Sequence, residues 1–164
     1  MAQMKSLDDL FINLLKDVYY AEKQVLKELP KLAKKADSPE LRQAFQDHLT
    51  ETEGQVKRLE KVFELCGLKP AAKSCPAIKG IIEEGEEDIK EAKDPDVCDA
   101  IMIADAQAVE HYEIARYGTM IAWANQLGMK DAASLLKQTL DQEYNADRVL
   151  TQLAENHLNR QAAA

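Results

Sequence analysis

Cysteine is scarce in this chain: three residues, Cys66, Cys75 and Cys98. None forms a CxxC pair, and an odd count argues against a closed disulfide framework. A reducing cytoplasm fits best, with small buried or loop thiols as the expected reading. A Cys66 to Cys75 redox pair across a loop is the alternative, since the two are close enough in sequence to meet. The same scarcity leaves no four-cysteine iron-sulfur pattern for electron transfer. Long hydrophobic runs are missing too. The longest strictly apolar stretches, Ala100 to Ala104 and Met120 to Ala124, have five residues each, far short of a membrane span. The polar start "MAQMKSLDDLF" lacks the hydrophobic core of a signal peptide, so secretion by that route is not expected. Basic clusters are absent as well. Lys and Arg number 21 against 29 Asp and Glu, a net charge of −8 spread along the chain, and phosphate binding needs a clustered basic face. No nucleic-acid partner is expected.

What is present is helix. At 164 residues and 46% apolar composition, residues 1–164 suffice for one domain with a real core. The few glycines and prolines cluster, and the segments between them carry helical periodicity. The fold class read from this is all-α. The spacing predicts a first helix over about 6–36, with Ser6 as N-cap and Pro30 bending or breaking it. A second helix follows "DSP" over about 39–66 and stops at "CGLKP". A long connection then carries one short acidic helix, about 76–92, read as a crossover with a solvated face. A further helix follows "DPD" over about 95–127, and the last spans about 130–157, with the tail "NRQAAA" expected to fray. Short, long and short links between four long helices match a four-helix bundle with one crossover.

Polar residues interrupt the apolar stripes of these helices. The first helix presents Phe11, Leu15, Val18, Glu22, Val25 and Leu29 on one face, with Glu22 at its centre. The last presents Leu136, Leu140, Glu143, Asp147 and Leu150, and the one before it Ile103, Glu110, Ile114, Tyr117 and Ile121, with Glu113 beside that line. In the second helix the best stripe is Phe45, Leu49, Thr52, Val56, Leu59 and Phe63, with Glu53 on its flank. Folding the hairpins about their turns sets residue 52 or 53 opposite Glu22, so that Glu53 falls at mid-height, as Glu143 does opposite Glu110. His48 and His111 fall to the sides, the second on a face of small residues suited to close helix packing.

Burying one unpaired carboxylate costs several kcal/mol, whereas a whole domain is stable by only about 5–15 kcal/mol. No Lys or Arg shares these stripes, since Arg116 and Arg148 only flank them. The compensators left are protons, shared within a carboxylate network or a wet cavity, or a polyvalent cation. Carboxylates from facing helices suit hard ions such as iron or manganese.

The pattern resembles the ferritin-like di-metal carboxylate proteins, whose bundles use a Glu from each of two helices and Glu-x-x-His from the other two. More narrowly, "LLKDVYYAEKQ", "HLTETEGQVKRLEKVF" and "AVEHYEIARYGT" look like the YciF-type stress-protein family within the rubrerythrin-related part of that superfamily. The resemblance implies a ferritin-like bundle, a homodimer, a di-metal site of up to two iron or manganese ions per chain, and a stress-associated role. Carried over by position, Glu22 and Glu53 match the ligands of the first hairpin, and Glu110 and Glu143 those of the second. Glu113 resembles the extra carboxylate of rubrerythrin-like members. The chain departs from the motif where it has Val56 and Ala146 in place of histidines, with Asp147 as a substitute in the last helix. Two functions follow as expectations. One is a cytoplasmic metal protein acting on O2 or peroxide; the other is a non-catalytic stress-related interaction protein whose metal site is structural or vestigial. The missing imidazole pair favours the second.

Overall fold

The computed structural model describes residues 4–164; residues 1–3, which open the polar start, lie outside it. Five long helices follow one another: α1 (Leu7–Lys35), α2 (Pro39–Leu65), α3 (Pro76–Glu91), α4 (Pro95–Gln126) and α5 (Lys130–Leu153). The last continues through a π-helical turn (Ala154–Leu158) into α6 (Asn159–Ala162). Among the described residues there is no strand, and no helix is long and apolar enough to cross a membrane.

Local chemistry sets the ends. Ser6 and Asp9 exchange side-chain and backbone hydrogen bonds at 3.1 Å in a capping box on α1. Helices α2, α3 and α4 each open with proline in the first turn, where its missing N–H costs nothing. Gly67 and Gly128 take φ of +70° and +74° just past α2 and α4. There the N–H groups of Leu68 and Met129 reach back to the carbonyls of Phe63 and Ala124, ending each helix in a Schellman motif.

Two local expectations change. Helix α1 runs unbroken past Pro30, which sits on an exposed face close to the helix end, so the carbonyl it leaves unbonded is near solvent. The C-terminal tail is helical through Ala162, because Leu150, Ala154 and Leu158, each four residues apart, stay buried across the π turn and carry the chain along the core.

In the bundle α1 packs on α2, α2 on α5, α5 on α4, and α4 back on α1, while α3 covers the outside of α4. A buried carboxylate ties the first turn to the second hairpin. Asp99, 1% exposed near the start of α4, accepts the backbone N–H groups of Asp37 and Ser38 at 2.9 and 2.7 Å, clamping the α1–α2 turn. Asp99→Ala is expected to cost about 2–4 kcal/mol in urea denaturation, because it strands two backbone donors. An exposed control, Glu91→Ala, should stay within about 0.5 kcal/mol.

Candidate metal centre

Each bundle helix changes character at mid-height. In α1 the buried row runs Phe11, Leu15 and Val18, then Glu22, then Val25 and Leu29. In α2 it runs Leu41 and Phe45, then His48, Thr52 and Gln55, then Leu59 and Phe63. Helix α4 places Glu110 and Glu113 between Met102 and Tyr117, and α5 places Thr139 and Glu143 between Leu136 and Leu150. The apolar core is thereby split in two, one half containing Phe11, Phe63 and Tyr117, the other Phe45, Met102 and Leu158. A polar layer lies between them.

Two sets of three donors form in that layer. His48, Glu110 and Glu143 bring ligand atoms within 4.8 Å of one another, and so do Glu22, Glu113 and Glu143. Glu143 belongs to both. His48 Nε2 lies 3.1 Å from Glu110 Oε1 and 3.9 Å from Glu143 Oε2. Its direction does not line up for a hydrogen bond, so the ring nitrogen has no partner. Tyr117, fully buried, donates its hydroxyl to Glu22 Oε1. That leaves Glu22 Oε2, Glu110 Oε2 and both carboxylate oxygens of Glu113 and Glu143 unpartnered as well.

Beside this layer a second polar row closes the gap between α2 and α5. Arg58 donates to Thr139 at 2.9 Å and to Gln142, and Gln55 reaches Gln142 at 3.4 Å. Arg58 is a base the stripe reading missed, and its charge helps to lower the Glu22 pKa. Thr52 spends its hydroxyl on the His48 carbonyl at 2.9 Å.

Of the residues expected in the site, Glu22, Glu110, Glu113 and Glu143 come together. Glu53 does not. It is exposed, because the inward row of α2 is Phe45, His48, Thr52, Gln55 and Leu59, and Glu53 stands about 100° around the helix from Thr52. Asp147 also stays outside, held by Gln107 at 2.9 Å and His111 at 3.2 Å, while Ala146 takes the inward position. His48, placed on a flank by the sequence reading, lies inside at 7% exposure. Its signal was the three- and four-residue spacing from Phe45 through Leu59, obscured because His48 and Gln55 make that row look less apolar than Leu49 and Val56 do. His111 is on the surface, 68% exposed. All three cysteines are free, and Cys75 Sγ contacts Tyr112 Oη at 3.0 Å instead of another sulfur.

Electrostatics divides the cluster. Burial pushes the Glu22 carboxyl up to about 7, against the pull of the Tyr117 hydroxyl and the His48 charge. Burial also drives Glu113 well above the usual carboxylate range, with Glu22 and Glu110 adding repulsion. Glu143 rises the same way, by burial and then by its contacts with Glu110 and Glu113. Glu110 goes down. Burial opposes its charge, but the His48 charge and the proton held by Glu143 outweigh that. For His48 burial disfavours the cation, yet Glu110 and then Glu51 raise it well above its ordinary value. Without metal, protons and one imidazolium balance the layer. With those protons gone the same atoms become convergent donors, four carboxylates and an imidazole, a set that fits iron or manganese.

Comparison with known proteins places the family and the fold. Residues 6–163 match the family described as "Domain of unknown function (DUF892)". The protein YciF of Escherichia coli K12 is 48% identical over 160 residues, covering 97% of this chain and 96% of its own. The crystal structure of the E. coli stress protein YciF superposes with a TM-score of 0.90, covering 95% of this chain and 99% of that one. YcfI of Rhodopseudomonas palustris gives 0.90 at 46% identity, covering 91% and 95%. A two-domain protein of Anabaena variabilis containing a ferritin-like domain matches at 18% identity with a TM-score of 0.63, covering 94% of this chain and 38% of its own; it shows the fold alone. The fold is the ferritin-like bundle.

The pKa directions set a pH dependence. Glu22 has its folded value raised from 4.5 to about 7, so its contribution is fully present below about 4.5 and lost as pH rises through 7. Alone it removes about 3 kcal/mol from the metal-free protein. Glu113, Glu143 and His48 act in the same direction; Glu110, lowered, contributes above the ordinary carboxylate range and loses that contribution only in acid. Urea denaturation of chelator-treated protein should therefore show lower stability at pH 8 than at pH 5, with Glu113→Gln flattening the slope. Equal stability at both pH values would contradict this picture.

Proposed function

The chain belongs to the DUF892 family, and we propose that it is a ferritin-like, metal-binding stress-response protein that holds up to two iron or manganese ions in the polar layer. The observation that supports this reading is the set of unpartnered donor atoms on Glu22, His48, Glu110, Glu113 and Glu143. Only a polyvalent cation or a full set of protons offsets the burial of those groups. His48, Glu110 and Glu143 would hold one ion, and Glu22, Glu113 and Glu143 the other, with Glu143 shared. When bound, such ions supply Lewis acidity and one-electron chemistry toward O2 or peroxide.

The residues around the ions have definable tasks. Tyr117 fixes the orientation of Glu22 through its hydroxyl, as partners of metal-binding groups do. Phe11, Phe63 and Tyr117 on one side and Phe45 and Met102 on the other bound the layer with apolar side chains. The setting we propose is a cytoplasmic homodimer. A second reading, a structural metal site without catalysis, is favoured by the single imidazole in place of the pair that the general motif supplies.

Elemental analysis of protein purified without chelator tests the proposal. We expect about one to two equivalents of iron or manganese per chain, falling to near zero in Glu143→Ala and to about half in His48→Ala, with Glu53→Ala and His111→Ala unchanged. Less than about a tenth of an equivalent after anaerobic loading, against the tight binding expected of a preformed site, refutes it. If the loaded protein keeps its metal through repeated additions of peroxide without consuming any, the structural reading stands.

A further inference from the structure

The polar layer is not enclosed equally on all sides. Where α1 meets α4, helix α3 lies across the gap, and beside Ile82 and Val109 there are only two small spaces of about 40 and 60 Å³. Between α2 and α5, a cavity of about 220 Å³ runs in from the surface. Two small residues, Ala44 on α2 and Ala146 on α5, are part of its lining, and larger side chains at either position would fill it. Leu29, Phe45, Val149 and Leu150 make its walls apolar, and its floor is His48 and Glu110.

We infer that this cavity is the binding pocket for a small, uncharged organic molecule with an apolar body and one oxygen-bearing end, which meets the centre from the His48 side. The inference rests on the proposed metal centre for its consequence, though not for the binding itself. Three observations carry it. The floor groups are buried and lack hydrogen-bond partners: His48 is 7% exposed with both ring nitrogens unpartnered, and Glu110 is 2% exposed with Oε2 unpartnered. The polar end of a guest has something to meet there. The volume exceeds the roughly 150 Å³ of an apolar cavity known to accept benzene, so one ring or a short branched chain fits. The rim carries Asp47 and Glu51, whose charges repel anions, and the apolar walls penalise burying a charge of either sign.

Geometry also assigns a side. His48 and Glu110 line the cavity and Glu22, Glu113 and Tyr117 do not, so a guest in it meets the donor set containing His48 and Glu110. Among peroxides this selects an organic hydroperoxide, whose hydrocarbon body fills the apolar walls, over hydrogen peroxide, which gains nothing from them.

The test uses benzyl alcohol as an unreactive stand-in and benzoate as its charged counterpart, titrated into the full metal-free chain and followed by calorimetry and protein NMR. Benzyl alcohol should bind, with ring-to-methyl NOEs to Val149 and Leu150, and benzoate should bind at least about tenfold more weakly. Ala44→Phe, which fills the cavity away from the donors, should weaken benzyl alcohol by at least about tenfold while leaving metal content unchanged; Val149→Phe decides if that variant misfolds. No binding, NOEs elsewhere, equal benzoate affinity, or unaltered affinity in the filled variant overturns the inference. Binding in a chain that takes up no metal would instead sink the metal reading and leave the pocket standing.

Discussion

Four carboxylates and an imidazole buried in one layer of a helical bundle impose the constraint on which the rest of the structure depends. Each ionised carboxylate in such a place costs several kcal/mol, and the domain's whole stability is about 5–15 kcal/mol. A bundle with this layer needs both strong packing elsewhere and a compensator within. The packing comes from the two apolar halves that sandwich the layer. The compensators present in the chain itself are His48, the Tyr117 hydroxyl and, one row away, Arg58. They leave more negative charge than they neutralise.

The scaffold is built to hold the layer at a fixed height. Schellman motifs end α2 and α4 at Gly67 and Gly128, which sets where each helix stops. Asp99 joins the α1–α2 turn to the start of α4, so the two hairpins cannot slide past each other. A slip of one turn would carry Glu22 out of register with Glu113 and set carboxylates against leucines. The donor sets draw on all four bundle helices, so their geometry reports the register of the whole bundle.

How much of this was legible in the sequence follows from the same physics. Glu22, Glu110, Glu113 and Glu143 were visible because each interrupts or borders an apolar row, and a buried carboxylate is a conspicuous departure from that pattern. The second helix was harder to read. Two candidate rows ran along α2, and the one with more hydrocarbon, Leu49 and Val56, is only half-buried. The other, with His48, Thr52 and Gln55, faces inward because the layer is polar there and the neighbouring row of Arg58 and Gln142 needs partners. Periodicity alone favours the more apolar row, so it fails where a helix presents polar groups to the core. Asp147 shows the same limit: one residue from the inward position on α5, it bonds to Gln107 at the surface side while Ala146 packs inside. Arg58 was invisible for a related reason, since a long side chain can start on a flank and end inside.

Ala146 then links the missing imidazole to the open side of the molecule. In the general motif a histidine three residues after the α5 glutamate would project into this region. This chain has Ala146 there, which lines the same cavity as Ala44. Its one inward imidazole comes from α2, one turn before Thr52, and lines the same cavity. The alanine that departs from the motif is thus also one of the small residues that line the opening. A purely structural ion would gain from a closed, dry shell, and two larger apolar residues at positions 44 and 146 would supply one. Small residues at both positions, above unpartnered donors, make the opening itself the feature that a structural role leaves unexplained.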